Sequence, residues 1–351
     1  VTQPTWTLGL YSSAGNLIAD LSIASNRTLT STLNAPTVLS FNIPASHPAA
    51  ALVTPASTYI RAYRRVDATN TLRFYGPVWM DETSTGQGID TIQITAADPM
   101  IRLGRRYVTP SYTSTDRGAI IQDLIADANT DAETGIQTTS ATIETSSTIT
   151  TDYEIERPSI LDVIQQYAEA TDGCDTVIDP IEYASGKIGQ LNIYARRGSN
   201  QAGAIFAYGA GTLANCLSIN RIRNADNLAN HVLAVEDTIT TIWQNTTSQT
   251  TYGRIETALS LQGDTNVTSM TARTRRYLDT HDDIADIATY QITAGPRAPR
   301  LYDDFNIGDT VQVHYRGAQL EYETTQRVTS CTIAIDDQGR ETISQLETQA
   351  N

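Results

Sequence analysis

Lysine is almost absent from this chain of 351 residues: it occurs once, at Lys187, so of 24 basic residues 24 − 1 = 23 are arginines. Against 39 acidic residues the formal charge is −15, and the pI is about 4.6. This balance excludes the clustered cationic face from which nucleic-acid binders gain affinity. Contact with DNA in transit stays open, because a duplex sliding through a channel is helped by walls that do not bind it. Scarce Lys, an acidic excess and abundant Thr fit two origins. One is a GC-rich genome; the other is a high-salt host, whose proteins keep solubility through carboxylates.

Long apolar runs are also missing. No stretch approaches the ~20 apolar residues of a membrane span, and Val1-Thr2-Gln3-Pro4 lacks the basic start of a secretory signal. The expectation is no membrane span, with release only by lysis. Hydrophobic residues nevertheless make up 40% of the chain, which excludes a disordered tail and allows two or more domains with real cores.

Cysteine is limited to Cys174, Cys216 and Cys331, an odd number without CxxC spacing. A zinc site and a disulfide framework are therefore not indicated, and all three read as small buried hydrophobes. Histidine occurs only as His47, His231, His281 and His314, none with a second ligand at metal-binding helical spacing. His281-Asp282-Asp283 is dense in ligand types, but consecutive helical residues point to different sides, so a solvated acidic face is expected. No GxGxxG or GxxxxGK phosphate loop is present, and Tyr208-Gly209-Ala210-Gly211 reads as a turn-rich junction. Ser46-His47 lacks a GxSxG elbow. Asp303-Asp304 and Asp336-Asp337 fall at a loop and a hairpin turn, where Asp serves local backbone hydrogen bonds. Trp6, Trp79 and Trp243 are scattered in strand-like segments, as core or interface anchors would be. Asn26, Asn245 and Asn266 head glycosylation-acceptor triplets, matches expected by chance in a chain rich in Ser and Thr. No catalytic, cofactor-binding or metal-binding residue is singled out, and an enzyme is not expected.

What is present is strand pattern, interrupted by a few helices. Ile92, Ile94 and Ala96 alternate with Thr91, Gln93 and Thr95, placing the apolar set on one face of a half-buried strand. Ser12 to Asn16 and Val66 to Asn70 read as hairpin turns. Ile120, Ile121, Leu124, Ile125 and Ala128 form a helical stripe behind Ser114, Thr115 and Asp116 as caps. Ser159 and Asp162 have capping-box spacing ahead of a second stripe, Ile160, Leu161, Ile164, Tyr167 and Ala168, with Gly173 as its stop. Strands follow at Thr176 to Ile178 and Leu191 to Tyr194. The Thr-rich stretch Thr138 to Thr151 fits an exposed β-ribbon or a loop. A third helix is expected over about Thr268 to Ile292, with Met270, Thr274, Tyr277, Leu278, Ile284, Ala285, Ala288 and Ile292 near one face and Gly295-Pro296 as its end. Near the end of the chain, Val311, Val313 and Tyr315 alternate in a strand, and Asp336-Asp337-Gln338-Gly339 turns a hairpin.

Three segments carry a family resemblance: LSFNIPASHPAAALVTPASTYIRAYRR from Leu39, LRFYGPVWM from Leu72, and ITAADPMIRLGRR closing on Asp98-Pro99. With LANCLSINRIRNADNLANHVLAVE from Leu213, their order resembles the baseplate or tail hub proteins of long-tailed, siphovirus-like viruses, similar to the hub of contractile tails. The resemblance implies an α+β, β-rich fold with two antiparallel, tail-tube-like β-barrels and a small discontinuous α+β region. It implies one barrel over 1–106, an α+β domain over 107–206 and 254–295, and a second, split barrel over 207–253 and 296–351.

The resemblance further implies a structural virion protein at the tail tip. Three copies would form a ring of six similar modules, adapting a six-fold tail tube to a three-fold tip and lining the DNA ejection channel. The implied partners are itself as a homotrimer, a tail tube or distal tail protein, a tape measure protein and other tail tip or fibre proteins, with assembly in the host cytoplasm. DNA would pass without specific binding. Pro48 to Val53 is expected near a subunit or tube contact, or else buried within the monomer. Because the sequence ends soon after the last hairpin, a wall-degrading or receptor-binding role is expected in a separate protein. Two other readings stay open: a distal tail or tail tube ring protein, and a carbohydrate-binding or carbohydrate-degrading tip protein.

Overall fold

Alternating apolar residues build the first part of the chain into strands β1 (Thr5–Ser12), β2 (Leu17–Asp20), β3 (Ser25–Thr32), β4 (Val38–Pro44), β5 (Thr58–Val66), β6 (Thr69–Ser84) and β7 (Thr91–Ala97). These come from a computed structural model that describes residues 3–85, 90–131, 133–154, 157–169, 173–181, 189–209, 211, 214–236, 239–260, 267–292, 298–317 and 321–350. They run β2-β1-β5-β6-β7-β4-β3, every neighbour antiparallel. Ile94 and Ala96 are fully buried and Ile92 packs beside them, as the alternation requires. The expected hairpins join β1 to β2 and β5 to β6.

A separate core forms next, from β8 (Ser111–Asp116), α1 (Arg117–Asp131), β9 (Ile136–Ile143), β10 (Thr148–Asp152), α2 (Ile160–Ala168), β11 (Asp175–Pro180) and β12 (Gly189–Tyr194). All five stripe residues of α1 are buried. The capping box of α2 is formed on both sides: Ser159 Oγ accepts from Asp162 N at 3.1 Å, and the Asp162 carboxylate accepts from Ser159 N at 3.0 Å. The Thr-rich stretch makes no ribbon of its own. β9 runs parallel to β12 in one three-stranded sheet, while β10 pairs with β8 in another.

The rest comprises β13 (Asn200–Tyr208), β14 (Cys216–Asn224), β15 (His231–Glu236), β16 (Ile239–Gln244), α3 (Thr246–Tyr252), β17 (Glu256–Ser260), α4 (Val267–His281), β18 (Ala285–Ile292), β19 (Thr310–Arg316), β20 (Glu321–Ile335) and β21 (Glu341–Ala350). The expected helix to Ile292 is corrected here: it ends at His281, and Ala285–Ile292 is a strand between β14 and β21. Ile284, Ala288 and Ile292 satisfy a helical spacing, but Ala288, Tyr290 and Ile292 satisfy an alternation equally well, and all three are buried. Bends at Asp282 and Asp283 break the helix, and Asp283 accepts from Ile284 N. The stop expected at Gly295-Pro296 lies outside the described residues, as does Lys187.

Placement of β15 and β16 also differs from the expectation. They pair with β17 in a three-stranded sheet, order β16-β15-β17, and α4 covers it with Met270, Thr274 and Leu278 buried. Asn230 anchors this unit. Its amide donates to Gly253 O at 2.7 Å, and its side-chain oxygen accepts from Ile255 N at 2.8 Å.

The remaining strands are not a separate sheet. β20 pairs with β3 over Arg27 to Thr32, joining both β modules in one 13-stranded sheet. Pairing is antiparallel except for β13 with β19, which is parallel. Among the described residues no ladder closes either module into a barrel. The gap between β13 and β14 is bridged by Asn215, whose side chain accepts from Ala207 N at 2.9 Å and donates to Ile205 O at 2.7 Å. One hydrophobic core then runs through both modules, from Trp6, Leu8 and Phe41 to Phe206, Ile333 and Leu346. Since burying such a side chain contributes about 1.5–3 kcal/mol, the modules stabilise one another.

Candidate assembly surface and the seam between the β modules

The alternation of β5 puts Ile60, Ala62 and Arg64 on the inward face. Arg64 therefore enters the core with only 2% of its side chain exposed, in a position patterned for an apolar residue. Its guanidinium is consumed by two carboxylates. Nη1 and Nη2 donate to the two Asp303 oxygens at 2.8 and 2.6 Å, and Nε and Nη2 donate to the two Glu341 oxygens at 2.8 and 2.7 Å. Trp6 Nε1 also donates to Glu341, at 2.7 Å. Burial opposes the Arg64 charge, but these hydrogen bonds outweigh it and hold the guanidinium pKa above its ordinary value. The hydrogen bond from Arg64 in turn holds the Asp303 carboxyl below the usual range, against its partial burial.

Arg64 belongs to the first module, Glu341 opens β21, and Asp303 sits in the turn before β19. The hairpin between β20 and β21 thus lies in the grip of the first module. Arg27 donates to Asp336 O, Trp6 N donates to Gly339 O at 2.8 Å, and Thr5 bridges to Arg340. The hairpin occupies the space between β3 and the start of β1.

Asp98 ties a second junction. Its carboxylate accepts from Thr37 N at 2.8 Å and from Met100 N at 2.9 Å, capping the 3₁₀ turn Pro99–Arg105 that leads into the helical core. Burial pushes this carboxyl up to about 7, against the two N–H groups that favour its charge. The adjoining cavity, lined by Arg73, Phe74, Asp98, Pro99, Ile178 and Gly189, measures about 20 Å³. That is room for a water molecule and not for a substrate.

Sheet edges form the outward-facing part of the site. The strand path ends at β14 on one side and β2 on the other, and both ends expose apolar residues: Leu217 and Ile222 on β14, Leu17 and Ile18 on β2. β6 also runs on past its last β5 partner, exposing Trp79 and Met80. Unpaired strand edges are templates for pairing with another chain.

Residues weighed from sequence for chemistry are occupied with structure. Asp336 accepts from Gln338 N and Arg340 N, and Asp304 from Arg300 N, the local use expected of them. Asp303 departs from that reading through its bonds to Arg64. His47 Nδ1 accepts from Ala49 N at 3.2 Å, His281 Nδ1 lies 2.8 Å from Tyr277 O, His231 lies 3.2 Å from Glu256, and His314 lies 3.8 Å from Glu323. Asn245 caps α3 and Tyr252 binds Asp283, so the acidic run after His281 serves its own unit. Among the described residues no group of three His, Cys, Asp or Glu side chains is placed to hold a metal ion. The cysteines are buried, and burial pushes the thiols of Cys174 and Cys216 up to about 12. Trp6 is a core residue, whereas Trp79 and Trp243 are partly exposed. Pro48–Leu52 is a 3₁₀ turn that buries Ala49 and leaves Leu52 exposed, so it is neither a wholly buried nor a wholly free loop.

No protein-family model and no curated protein matches the chain. Solved structures do. The 43 kDa tail protein of prophage MuSo2 from Shewanella oneidensis superposes with a TM-score of 0.66 at 14% identity, covering 99% of this chain and 98% of that one. A tail protein from Neisseria meningitidis gives 0.62 at 9% identity, covering 99% and 97%. Prophage tail protein gp18 from Listeria monocytogenes gives 0.56 at 11% identity, covering 98% and 94%. Over nearly its whole length, this chain has the fold of these prophage tail proteins.

Proposed function

We propose that the chain is a structural tail protein, a hub at the tail tip whose three copies close a ring on the end of a six-fold tail tube. The observation that carries this reading is the single sheet that spans two β modules and ends in free apolar edges. Such a sheet offers two β modules per chain, so three chains present six. Among the described residues, edge strand β2 and the part of β14 beyond its Asn215 bridge to β13 have no ladder partner on their outer sides, which suits head-to-tail contacts that close on rotation. The likeness to tail proteins supports the same reading.

The remaining elements fit around that ring. The α1/α2 core and the α4-covered sheet stand outside the large sheet, where they would cover one side of the ring and carry the three-fold contacts. A chain of net charge −15 suits a channel wall along which DNA passes without specific binding. The partners proposed are further copies of this chain, a tail tube or distal tail protein, a tape measure protein and tip or fibre proteins, all within the virion. No enzymatic role is proposed: Asp303 is held by Arg64, and Asp304 and Asp336 accept from backbone N–H groups of their turns.

Native mass measurement of the purified chain tests the stoichiometry, and imaging of tail tips with the chain labelled tests its place. A trimer at the tip supports the hub. A hexamer transfers the chain to the tube or distal tail ring, and a monomer that never joins a tail removes the reading.

A further inference from the structure

The seam between the modules is built differently from the rest of the core. Thirty-three buried apolar residues among those described form a non-directional cluster through both modules, while two arginines are buried beside it: Arg27, which donates to the Asp336 carbonyl, and Arg64, which is held by two carboxylates. Apolar contacts tolerate sliding and repacking. A planar guanidinium held by four hydrogen bonds to two carboxylates does not, because its fork geometry fixes the direction of each partner. The two carboxylates reach Arg64 from different places, Asp303 from the turn before β19 and Glu341 from the head of β21. Tyr302, with φ of +73°, sets its ring 5.9 Å from the Arg64 guanidinium and 4.5 Å from that of Arg73. That backbone conformation is strained for a residue with a side chain, and it directly precedes Asp303.

We propose that Arg64, with Asp303 and Glu341, is a positioning residue that sets the angle between the two β modules, and so decides whether three copies close into a ring. The proposal rests on the hub reading for the ring and on the seam alone for the angle. A buried charge is a weak source of net stability, because desolvation offsets much of the attraction, and well-packed apolar replacements are often as stable. Its use here is orientation. A ring of three chains has no freedom to absorb an angular error: each error repeats at every seam, and the last edge misses the first.

The test separates stability, angle and ring. Spin labels on Ala68→Cys and Gln349→Cys, both exposed and on different modules, report the intramolecular distance, and the native cysteines are buried. In the otherwise unaltered chain a single narrow distance distribution is expected. The apolar triple variant Arg64→Met, Asp303→Leu, Glu341→Leu, which also takes the acceptor from the Trp6 indole, is expected to melt above Arg64→Ala but to broaden that distribution and lose the ring. Asp303→Asn, which keeps two of the three charges, is expected to shift the distribution less. Should the triple variant fail to fold, Asp303→Asn and Arg64→Lys carry the test, since lysine retains the charge without the fork and is expected to broaden the distribution.

A triple variant, or failing that Arg64→Lys, with the unaltered narrow distribution overturns the proposal. If the unaltered protein forms no trimer but its distance narrows only with the triad present, the hub reading fails and the angular role stands.

Discussion

Arg64 and Glu341 lie 277 residues apart in sequence and meet through two hydrogen bonds, at 2.8 and 2.7 Å, inside the core. The contact joins the fifth strand to the last. Removing the cation would leave Glu341 buried without its partner, a loss of about 3–5 kcal/mol for a broken buried pair. Arg64→Ala should therefore lower the urea midpoint strongly, whereas removal of all three charges should lower it less, through the unpaired Trp6 indole alone. Equilibrium unfolding of the two variants side by side is the measurement. An Arg64→Ala midpoint close to that of the unaltered protein would mean that the pair carries little stability.

Asp98 gives a pH dependence with a definite sign. Its folded pKa, about 7, lies above the ordinary carboxyl value of 3.8, so the protonated form is favoured by folding. The stabilisation is fully present below the unfolded value and is lost as pH rises through about 7. Melting temperature should fall from about pH 4 to about pH 7 from this group and level off above, and Asp98→Asn should flatten that part of the profile. Asp98→Ala, which also loses the cap on Met100 N, should cost about 1–2 kcal/mol at every pH. A profile unchanged by Asp98→Asn would remove the group as its source.

Gly76 in β6 is a packing requirement. A Cβ there would sit 1.8 Å from the carbonyl oxygen of Ala97, so the backbone of β6 or of the β7 end must move. Overpacking of this kind typically costs about 1–3 kcal/mol. Gly76→Ala is expected at the upper end or beyond, seen as an early denaturant midpoint, because the obstructing atom is main chain and cannot swing aside.

Edge substitutions should separate assembly from folding. Leu17→Lys on β2 and Leu217→Lys on β14 replace exposed side chains, so monomer stability should change by no more than about 0.5 kcal/mol. Charge on a free edge discourages strand pairing, and each variant alone should reduce trimer in native mass spectra. Trimer retained with both lysines would shift the subunit contact away from these edges.

Much of the architecture was legible in periodicity. The Ile120 to Ala128 stripe, the Ser159–Asp162 capping box and the Ile94–Ala96 face needed only local patterns, and local patterns are what they turned out to be. The strand Ala285–Ile292 was not legible, because its apolar residues fit two periods and only the neighbouring strands β14 and β21 decide between them. Separation of β15 and β16 from the large sheet depends likewise on β17, which follows later in the chain. The Arg64 triad was missed for a different reason: its partners lie 239 and 277 residues away, Asp303 alone read as turn chemistry, and Glu341 was one charge at the head of a strand. A signal did exist, since strand alternation places Arg64 on the Ile60 and Ala62 face, where a charge demands a partner.

The hairpin Asp336 to Glu341, which sits between β3 and the start of β1, orders the events of synthesis. Translation delivers the seven strands of the first module early, yet the hairpin that covers Trp6 and Arg64 emerges some 270 residues after the latter, by the 277-residue separation of Arg64 and Glu341. Until then the nascent chain holds an unfinished wall in which Arg64 lacks one of its two carboxylates. Folding is consequently a late, non-local event, slow in the way long-range strand pairing is slow. Only polypeptides translated through that hairpin can complete the first module, so incomplete products would be kept from joining a growing particle.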